Sequence, residues 1–109
     1  EKFSNVTING TAWENDLTTD STSKTIQGVC SAADATRVGL VQSASKPAVG
    51  STWPNLKGLA YITPGTSFSV TSGTLQKGGT YWLAACSYDS EEGDNTVVAV
   101  YEYNINYTA

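Results

Sequence analysis

The chain has 109 residues and a formal net charge of −4, and Ser and Thr together occupy 27 positions. Only 15% of the residues are charged, and the six basic ones form no cluster, which excludes the basic surface that nucleic acid or an anionic membrane requires. No run of 18 apolar residues is present, so we expect no membrane-spanning helix. The composition is typical of one extracellular or cell-surface domain over residues 1–109.

The first predicted element is a hairpin around Asn9-Gly10, because a tight type I′ turn needs positive φ at both central residues and this pair accepts it. Residues 14–25 are polar without a period and are predicted to form a loop. Two strands follow, in "TIQGVC" and "RVGLVQSA". The stretch "SKPAVGSTWPNLKG" holds two prolines and two glycines and is predicted to be a long irregular connection.

Two further reversals are predicted in the second half. Pro64 and Gly65 fit the central positions of a type II turn between "LAYI" and "SFSV". The glycines of Lys77-Gly78-Gly79 predict a tight turn between "GTLQ" and "TYWLAAC". The acidic loop "SYDSEEGDN" then leads into the last strand.

The last strand, residues 97–107, would span ~36 Å, twice the length that a small sandwich needs. Period two puts Val97, Ala99, Tyr101, Tyr103, Ile105 and Tyr107 on one face. Residues 97–101 are apolar on both faces and predict a central strand. Residues 103–107 are predicted to extend along an edge or beyond the body, where they could pair with another chain.

These elements predict an all-β fold of about seven to nine short antiparallel strands in a two-sheet sandwich. Immunoglobulin-like and jelly-roll topologies fit equally well. Cys30 and Cys86 both lie in apolar strands, and we expect one disulfide between them. Closing that loop would stabilise the fold by ~4 kcal/mol in the chain-entropy model.

Catalysis is not expected. The chain has no histidine, which excludes a Ser-His-Asp triad, a Cys-His pair and a histidine-held zinc ion. Most of the ten acidic residues lie in polar loops, where nothing predicts the burial that a catalytic carboxyl needs. We therefore expect neither an enzyme nor a cofactor.

The loop "YDSEEGDN" is the only acidic cluster. Asp89, Glu91, Asp94 and Asn95 carry the oxygen ligands that calcium takes, and they form a weak candidate site. The spacing fails the EF-hand order, since Asp94 stands where its glycine belongs. A solvated hairpin tip is the favoured interpretation.

The aromatic residues are better candidates for ligand binding. Trp53 lies in the long irregular loop with Asn55 two residues on, Trp13 follows the first hairpin, and Tyr88 opens the acidic loop. Aromatic faces can stack on the apolar faces of sugars while a nearby amide bonds to hydroxyls. Trp82, four residues before Cys86 on one strand face, is predicted to be core. For Trp53, a loop residue that plugs the sandwich is the competing interpretation.

These features favour a non-catalytic extracellular recognition module that belongs to a larger secreted enzyme or adhesin. Carbohydrate binding is the function that we predict for it. Its expected partner is a glycan or another extracellular ligand. The alternative is a structural subunit of a cell-surface filament or virion, which would self-associate by strand addition through the C-terminal strand.

Overall fold

The fold consists of β-strands. A computed structural model describes residues 2–108, and within that range it contains ten strands and no helix, hence no helix that could cross a membrane. The strands are β1 (Phe3–Ile8), β2 (Thr11–Ala12), β3 (Leu17–Thr18), β4 (Thr25–Cys30), β5 (Arg37–Gln42), β6 (Thr52–Trp53), β7 (Lys57–Tyr61), β8 (Ser67–Thr71), β9 (Gly79–Asp89) and β10 (Asp94–Tyr107). The all-β prediction is confirmed, and three of the ten strands have only two residues.

The strands form two sheets. The smaller sheet has the order β2-β1-β4-β8, and the larger has the order β3-β10-β9-β5-β7, with β6 also paired to β10. Every pair is antiparallel except β3 with β10, which is parallel. The prediction of antiparallel strands is therefore wrong for this one pair. The pair places Leu17 and Thr18 beside β10.

The Asn9-Gly10 turn joins β1 to β2 as predicted. Ile8 pairs with Thr11 across it, and Asn9 and Gly10 have φ values of +49° and +82°. Those are the two positive angles that a type I′ turn requires. The side chain of Asn9 also accepts a hydrogen bond from the backbone N–H of Thr25 at 2.9 Å, which ties the hairpin to β4.

The main core lies between the two sheets. The smaller sheet contributes residues such as Ile26 and Phe68, and the larger sheet contributes residues such as Leu40 and Leu83. Tyr101 of β10 lies among aromatic rings, with its centroid 5.9 Å from that of Phe3. These buried apolar side chains supply the main driving force for folding.

Trp13, which follows β2, belongs to this core and is 1% exposed. Its ring centroid lies 5.0 Å from that of Tyr101, whose hydroxyl donates a hydrogen bond to the Trp13 carbonyl oxygen. The residue joins the first hairpin to β10, because it is fixed both by its ring and by its backbone.

The two sheets approach each other closely where β7 passes β8. A Cβ atom added at Gly58 would lie 2.3 Å from the Thr71 carbonyl oxygen, and one added at Gly39 would lie 2.2 Å from the Gly58 carbonyl oxygen. Gly58 also has φ = +68°, and the register between β5 and β7 shifts after Gly39. This bulge curls the larger sheet against the smaller one, and only glycine fits there.

The turn at residues 63–66 has the predicted form but a different role. Thr66 N–H donates to the Thr63 carbonyl oxygen at 3.1 Å, and Gly65 has φ = +85°, as a type II turn requires. However, it joins β7 of the larger sheet to β8 of the smaller sheet, so the two strands that flank this predicted reversal do not pair as those of a hairpin would. The segment "GTLQ", which flanks the turn predicted at Lys77-Gly78-Gly79, is not a strand, because β8 ends at Thr71 and β9 begins at Gly79.

The predicted disulfide is wrong as well. Cys30 and Cys86 are both buried, but they are not bonded to each other. Cys30 belongs to the main core, as does Ala85 of β9, whereas Cys86, the next residue, belongs to a second apolar cluster. Because successive strand residues point to opposite faces, the larger sheet lies between the two thiols.

Strand β10 is longer than predicted and lies inside the sheet. Ile105 and Asn106 pair with β9 on one side and with β3 on the other, so the prediction that this segment runs along an edge or beyond the body is wrong. The register against β9 shifts after Val97 and again after Val100. The first shift puts Val97 and Ala99 in different clusters, although strict alternation places them on one face.

Candidate functional site

The larger sheet buries side chains on both of its faces. Its outer face, which is turned away from the smaller sheet, carries a cluster of Val41, Trp82, Ala84, Cys86, Val97 and Val100. Trp53 and Leu56 pack against this cluster from the segment between β5 and β7. Trp82 is 8% exposed, and its Nε1 donates to the Ser43 carbonyl oxygen at 3.0 Å. The middle of the outer face is thus a second core.

At one end of the outer face, three of the residues singled out in the sequence lie in a single row. Asn95 of β10 pairs with Trp53 of β6 on one side and with Tyr88 of β9 on the other. Residues directly opposite in an antiparallel pair have Cβ atoms about 4.5–5.5 Å apart. The structure therefore brings together an indole, an amide and a phenol. Trp53 is more than 30 residues from the other two along the chain, and Tyr88 is separated from Asn95 by the β9–β10 hairpin.

Asn95 is the fixed centre of this row. It is 3% exposed, and its Nδ2 donates to the Trp53 carbonyl oxygen at 3.0 Å. Its Oδ1 is buried, and no described residue forms a hydrogen bond with it. Trp53 is half-buried, and its Nε1 donates to Ser51 Oγ at 3.0 Å. The first contact holds the backbone of Trp53 and the second orients its indole.

Beside the row, an arginine lies against two tyrosines. Arg37, the first residue of β5, pairs with Tyr61 of β7 and with Cys86 of β9. Its guanidinium carbon lies 3.9 Å from the ring centroid of Tyr88 and 5.1 Å from that of Tyr61. Both distances are within the range of cation–π attraction. We call Tyr61, Arg37 and Tyr88 the tyrosine clamp.

The tyrosine clamp combines exposed rings with an enclosed polar atom. Tyr61 is 75% exposed and Tyr88 is 42% exposed, while Arg37 is half-buried and its Nε has no hydrogen-bond partner. Across residues 2–108, three buried side-chain polar atoms lack a hydrogen-bond partner, and two of them belong to Arg37 and Asn95. The third, Trp13 Nε1, lies in the main core. Such atoms cost free energy, and a functional role is one of the reasons for which proteins retain them.

Sequence reasoning missed Arg37 and Tyr61. Arg37 is the single arginine of the chain. It begins a strand whose next four residues are small or apolar, and this position is the one signal that the sequence gives for it. Tyr61 is the third residue of the predicted strand "LAYI", and no feature of that sequence marks it as exposed. The two meet only through the pairing of β5 with β7, which no local pattern reveals.

Cys86 lies under the tyrosine clamp and is 0% exposed. Burial raises the pKa of its thiol to about 11, and the nearby Arg37 charge opposes this shift only in part. The thiol is therefore protonated at neutral pH and is a weak nucleophile.

Two other predicted ligand residues lie apart from one another. Asn55 is exposed in the loop between β6 and β7, two residues after Trp53. Trp13 is enclosed in the main core between the sheets, so its ring offers no face to a ligand.

The acidic loop forms the tip of the β9–β10 hairpin. Asp89 Oδ1 accepts hydrogen bonds from the backbone N–H groups of Glu91 at 2.9 Å and Glu92 at 3.2 Å. This carboxylate oxygen closes the turn, as short acidic side chains often do. Asp94 is half-buried, and Asn95 is turned to Trp53. Within residues 2–108, no three Asp, Glu, Cys or His side chains gather as a metal site would require.

Two surface depressions lie elsewhere. One, of about 510 Å³, covers the smaller sheet around Gln27 and Ser69. The other, of about 320 Å³, lies between β2, β3 and Lys24. Lys24 is 6% exposed and pairs with Asp20 at 3.0 Å, so its charge is satisfied. Neither depression contains an aromatic ring with an exposed face, and neither contains an unpaired charge.

Comparisons of the chain with protein-family models, with curated proteins and with solved structures found no match.

Proposed function

We propose that the chain is a non-catalytic recognition module that binds a glycan through the outer face of its larger sheet. The observation that carries the proposal is the tyrosine clamp, in which the exposed rings of Tyr61 and Tyr88 flank a guanidinium on a rigid sheet. Flat rings offer stacking area at small entropic cost, and polar groups beside them fix the orientation of the bound molecule. Trp53 lies in one row with Asn95 and Tyr88, and Asn55 is exposed two residues after it; we include both in the proposed site.

We further propose an immunoglobulin-like topology in preference to a jelly roll. The order β10-β9-β5 in one sheet and β1-β4-β8 in the other supports it. The parallel pairing of β3, an early strand, with the last strand β10 also supports it. Tyr81 also supports it. This residue near the start of β9 is fully buried, and its hydroxyl accepts a hydrogen bond from the Gln76 backbone N–H at 2.7 Å. A tyrosine tied to the backbone just upstream in this way is a hallmark of immunoglobulin-like sandwiches.

An extracellular or cell-surface location remains part of the proposal. It rests on the low charge and the high Ser and Thr content. The cysteines no longer support it, because two buried thiols that are not bonded to each other carry no information about an oxidising compartment.

The filament or virion subunit ranks second. Strand addition needs a strand with an unpaired side, and β10 is paired on both sides at Ile105 and Asn106. Light scattering after size-exclusion chromatography separates the two functions. A monomer is the result expected for the module, whereas ordered oligomers or fibres would favour the subunit.

A glycan array followed by calorimetry on the best ligand tests the proposed module. Tyr61 is the cleanest probe, since its ring is 75% exposed and its removal leaves the cores intact. We expect Tyr61→Ala to weaken binding several-fold, because one aromatic contact contributes about 0.5–1.5 kcal/mol beyond the buried area. Tyr61→Phe, the matched control, keeps the ring and should bind like the native chain.

Two results would overturn the proposal. Failure to bind any glycan on a broad array would exclude the function, and unchanged binding by Tyr61→Ala and Tyr88→Ala would exclude the site. Trp53→Ala is a poorer probe, because Trp53 also covers the second core, so that loss of binding and loss of stability would be mixed.

A further inference from the structure

Among residues 2–108, no carboxylate pairs with the charge of Arg37. Within the described range the ion pair that occurs joins Lys24 to Asp20, and Arg37 contacts the two tyrosine rings instead. Guanidinium groups in proteins usually pair with carboxylates or phosphates through two parallel hydrogen bonds. A half-buried arginine that lacks such a partner is ready to receive one.

The guanidinium is also held in place before any ligand arrives. Arg37 begins a central strand of the larger sheet, and its group lies against Tyr88 on one strand and Tyr61 on another. Because Nε is enclosed, the two terminal Nη groups are the donors that an incoming molecule can meet. A fixed donor group loses little conformational entropy on binding.

Resting on the proposed glycan-binding function, we propose that the ligand is a glycan that presents one carboxylated sugar. Its carboxylate pairs with the Nη groups of Arg37, and the apolar face of the sugar ring stacks on Tyr61. A planar carboxylate matches the planar guanidinium fork in geometry as well as in charge. A neutral sugar would leave the partly desolvated guanidinium without an anion.

The surrounding charges restrict how many anionic groups the ligand carries. The hairpin tip that follows Tyr88 contains Asp89, Glu91, Glu92 and Asp94, and the chain has a net charge of −4. A polyanionic chain laid across the face would meet these carboxylates and be repelled. The site therefore selects an isolated acidic sugar over a run of sulfated or carboxylated units.

The test uses one oligosaccharide in two forms, with its carboxylate intact and with the carboxylate reduced to an alcohol. We expect the native chain to bind the acidic form at least about tenfold more tightly, since hydrogen bonds to charged groups are the strong ones. Arg37→Gln should abolish that preference, and Arg37→Lys, which keeps the charge without the fork, should retain part of it. Lys46→Gln is the matched control, because it removes the same charge from an exposed loop and should change affinity less than about twofold.

Each outcome decides one question. Equal binding of the two forms by the native chain, or a preference for acid that survives in Arg37→Gln, would overturn the carboxylate inference and leave the glycan-binding function standing. Tighter binding of a sulfated form would also overturn it. Failure to bind either form or any array glycan would instead overturn the proposed function. Melting curves of both Arg37 variants establish that the compared proteins are folded.

Discussion

Replacing Gly58 with alanine should be among the most damaging single-methyl changes in this protein. The added Cβ atom would lie 2.3 Å from the carbonyl oxygen of Thr71 and 3.1 Å from its carbonyl carbon. Both atoms are backbone, so no side-chain rotation can make room. Relief requires β7 to move away from β8, which would open the junction between the two sheets.

The magnitude has two parts. Gly58 has φ = +68°, and an L-residue in that region is disfavoured by roughly 1–2 kcal/mol, partly offset by the reduced freedom of the unfolded chain. Overpacking adds about 1–3 kcal/mol, at the upper end here because the neighbour is backbone. We expect Gly58→Ala to lose about 3–4 kcal/mol of unfolding free energy, a large fraction of the ~5–15 kcal/mol that domains have.

Gly93→Ala provides the control. Gly93 has φ = +71°, and an added Cβ atom would meet nothing within 4 Å, so this variant carries the backbone penalty without the clash. In thermal unfolding followed by circular dichroism, we expect Gly93→Ala to lower Tm by about 4 °C and Gly58→Ala by more than about 10 °C. Equal losses in the two variants would show that β7 does not press against β8, and the described closure of the sheets would be refuted.

Two further predictions concern titratable groups. Burial holds the pKa of Cys86 at about 11, so a thiol reagent at pH 8 should not label Cys86 in the native protein but should label it in denatured, unreduced protein. Peptide mapping that finds Cys86 protected after denaturation would reinstate the disulfide. Hydrogen bonds from Thr22 and Lys24 hold the pKa of Asp20 well below its usual range. The stability they contribute is present above the unfolded pKa of about 3.9 and is lost as the pH falls below it. Asp20→Asn should therefore flatten the fall in Tm between pH 5 and pH 2, and an Asp34→Asn control should not; identical acid profiles for the native chain and Asp20→Asn would contradict the assignment.

Features set by neighbouring residues could be predicted from the sequence. The Asn9-Gly10 hairpin and the strand "TIQGVC" were predictable because turn chemistry and short apolar runs are local signals. The strand β4 (Thr25–Cys30) has the same limits as that prediction. The turn at residues 63–66 was also predictable from local sequence, but the passage of the chain from one sheet to the other was not. The same turn sequence occurs whether or not the two strands that it joins pair with each other.

The orientation of Cys86 could not be predicted, because all six residues of "YWLAAC" are buried. A strand covered on both faces loses the alternation that shows which residues point inward. Bulges in β10 removed the same signal there. The tyrosine clamp depended on the pairing of Arg37 with Tyr61, whereas Trp53, Tyr88 and Asn95 could be proposed singly from their residue types but not as neighbours.

The position of β9 and β10 within the larger sheet determines when that sheet can form during synthesis. These strands occupy residues 79–107, yet they lie between β3 and β5, which the ribosome makes much earlier. Until they emerge, β3 has no strand to pair with, and β5 lacks the strand that pairs with one of its two edges. Strand pairings between residues so distant in sequence form slowly and leave apolar segments exposed meanwhile. The larger sheet therefore cannot complete its strand pairing until residues 79–107 have left the exit tunnel.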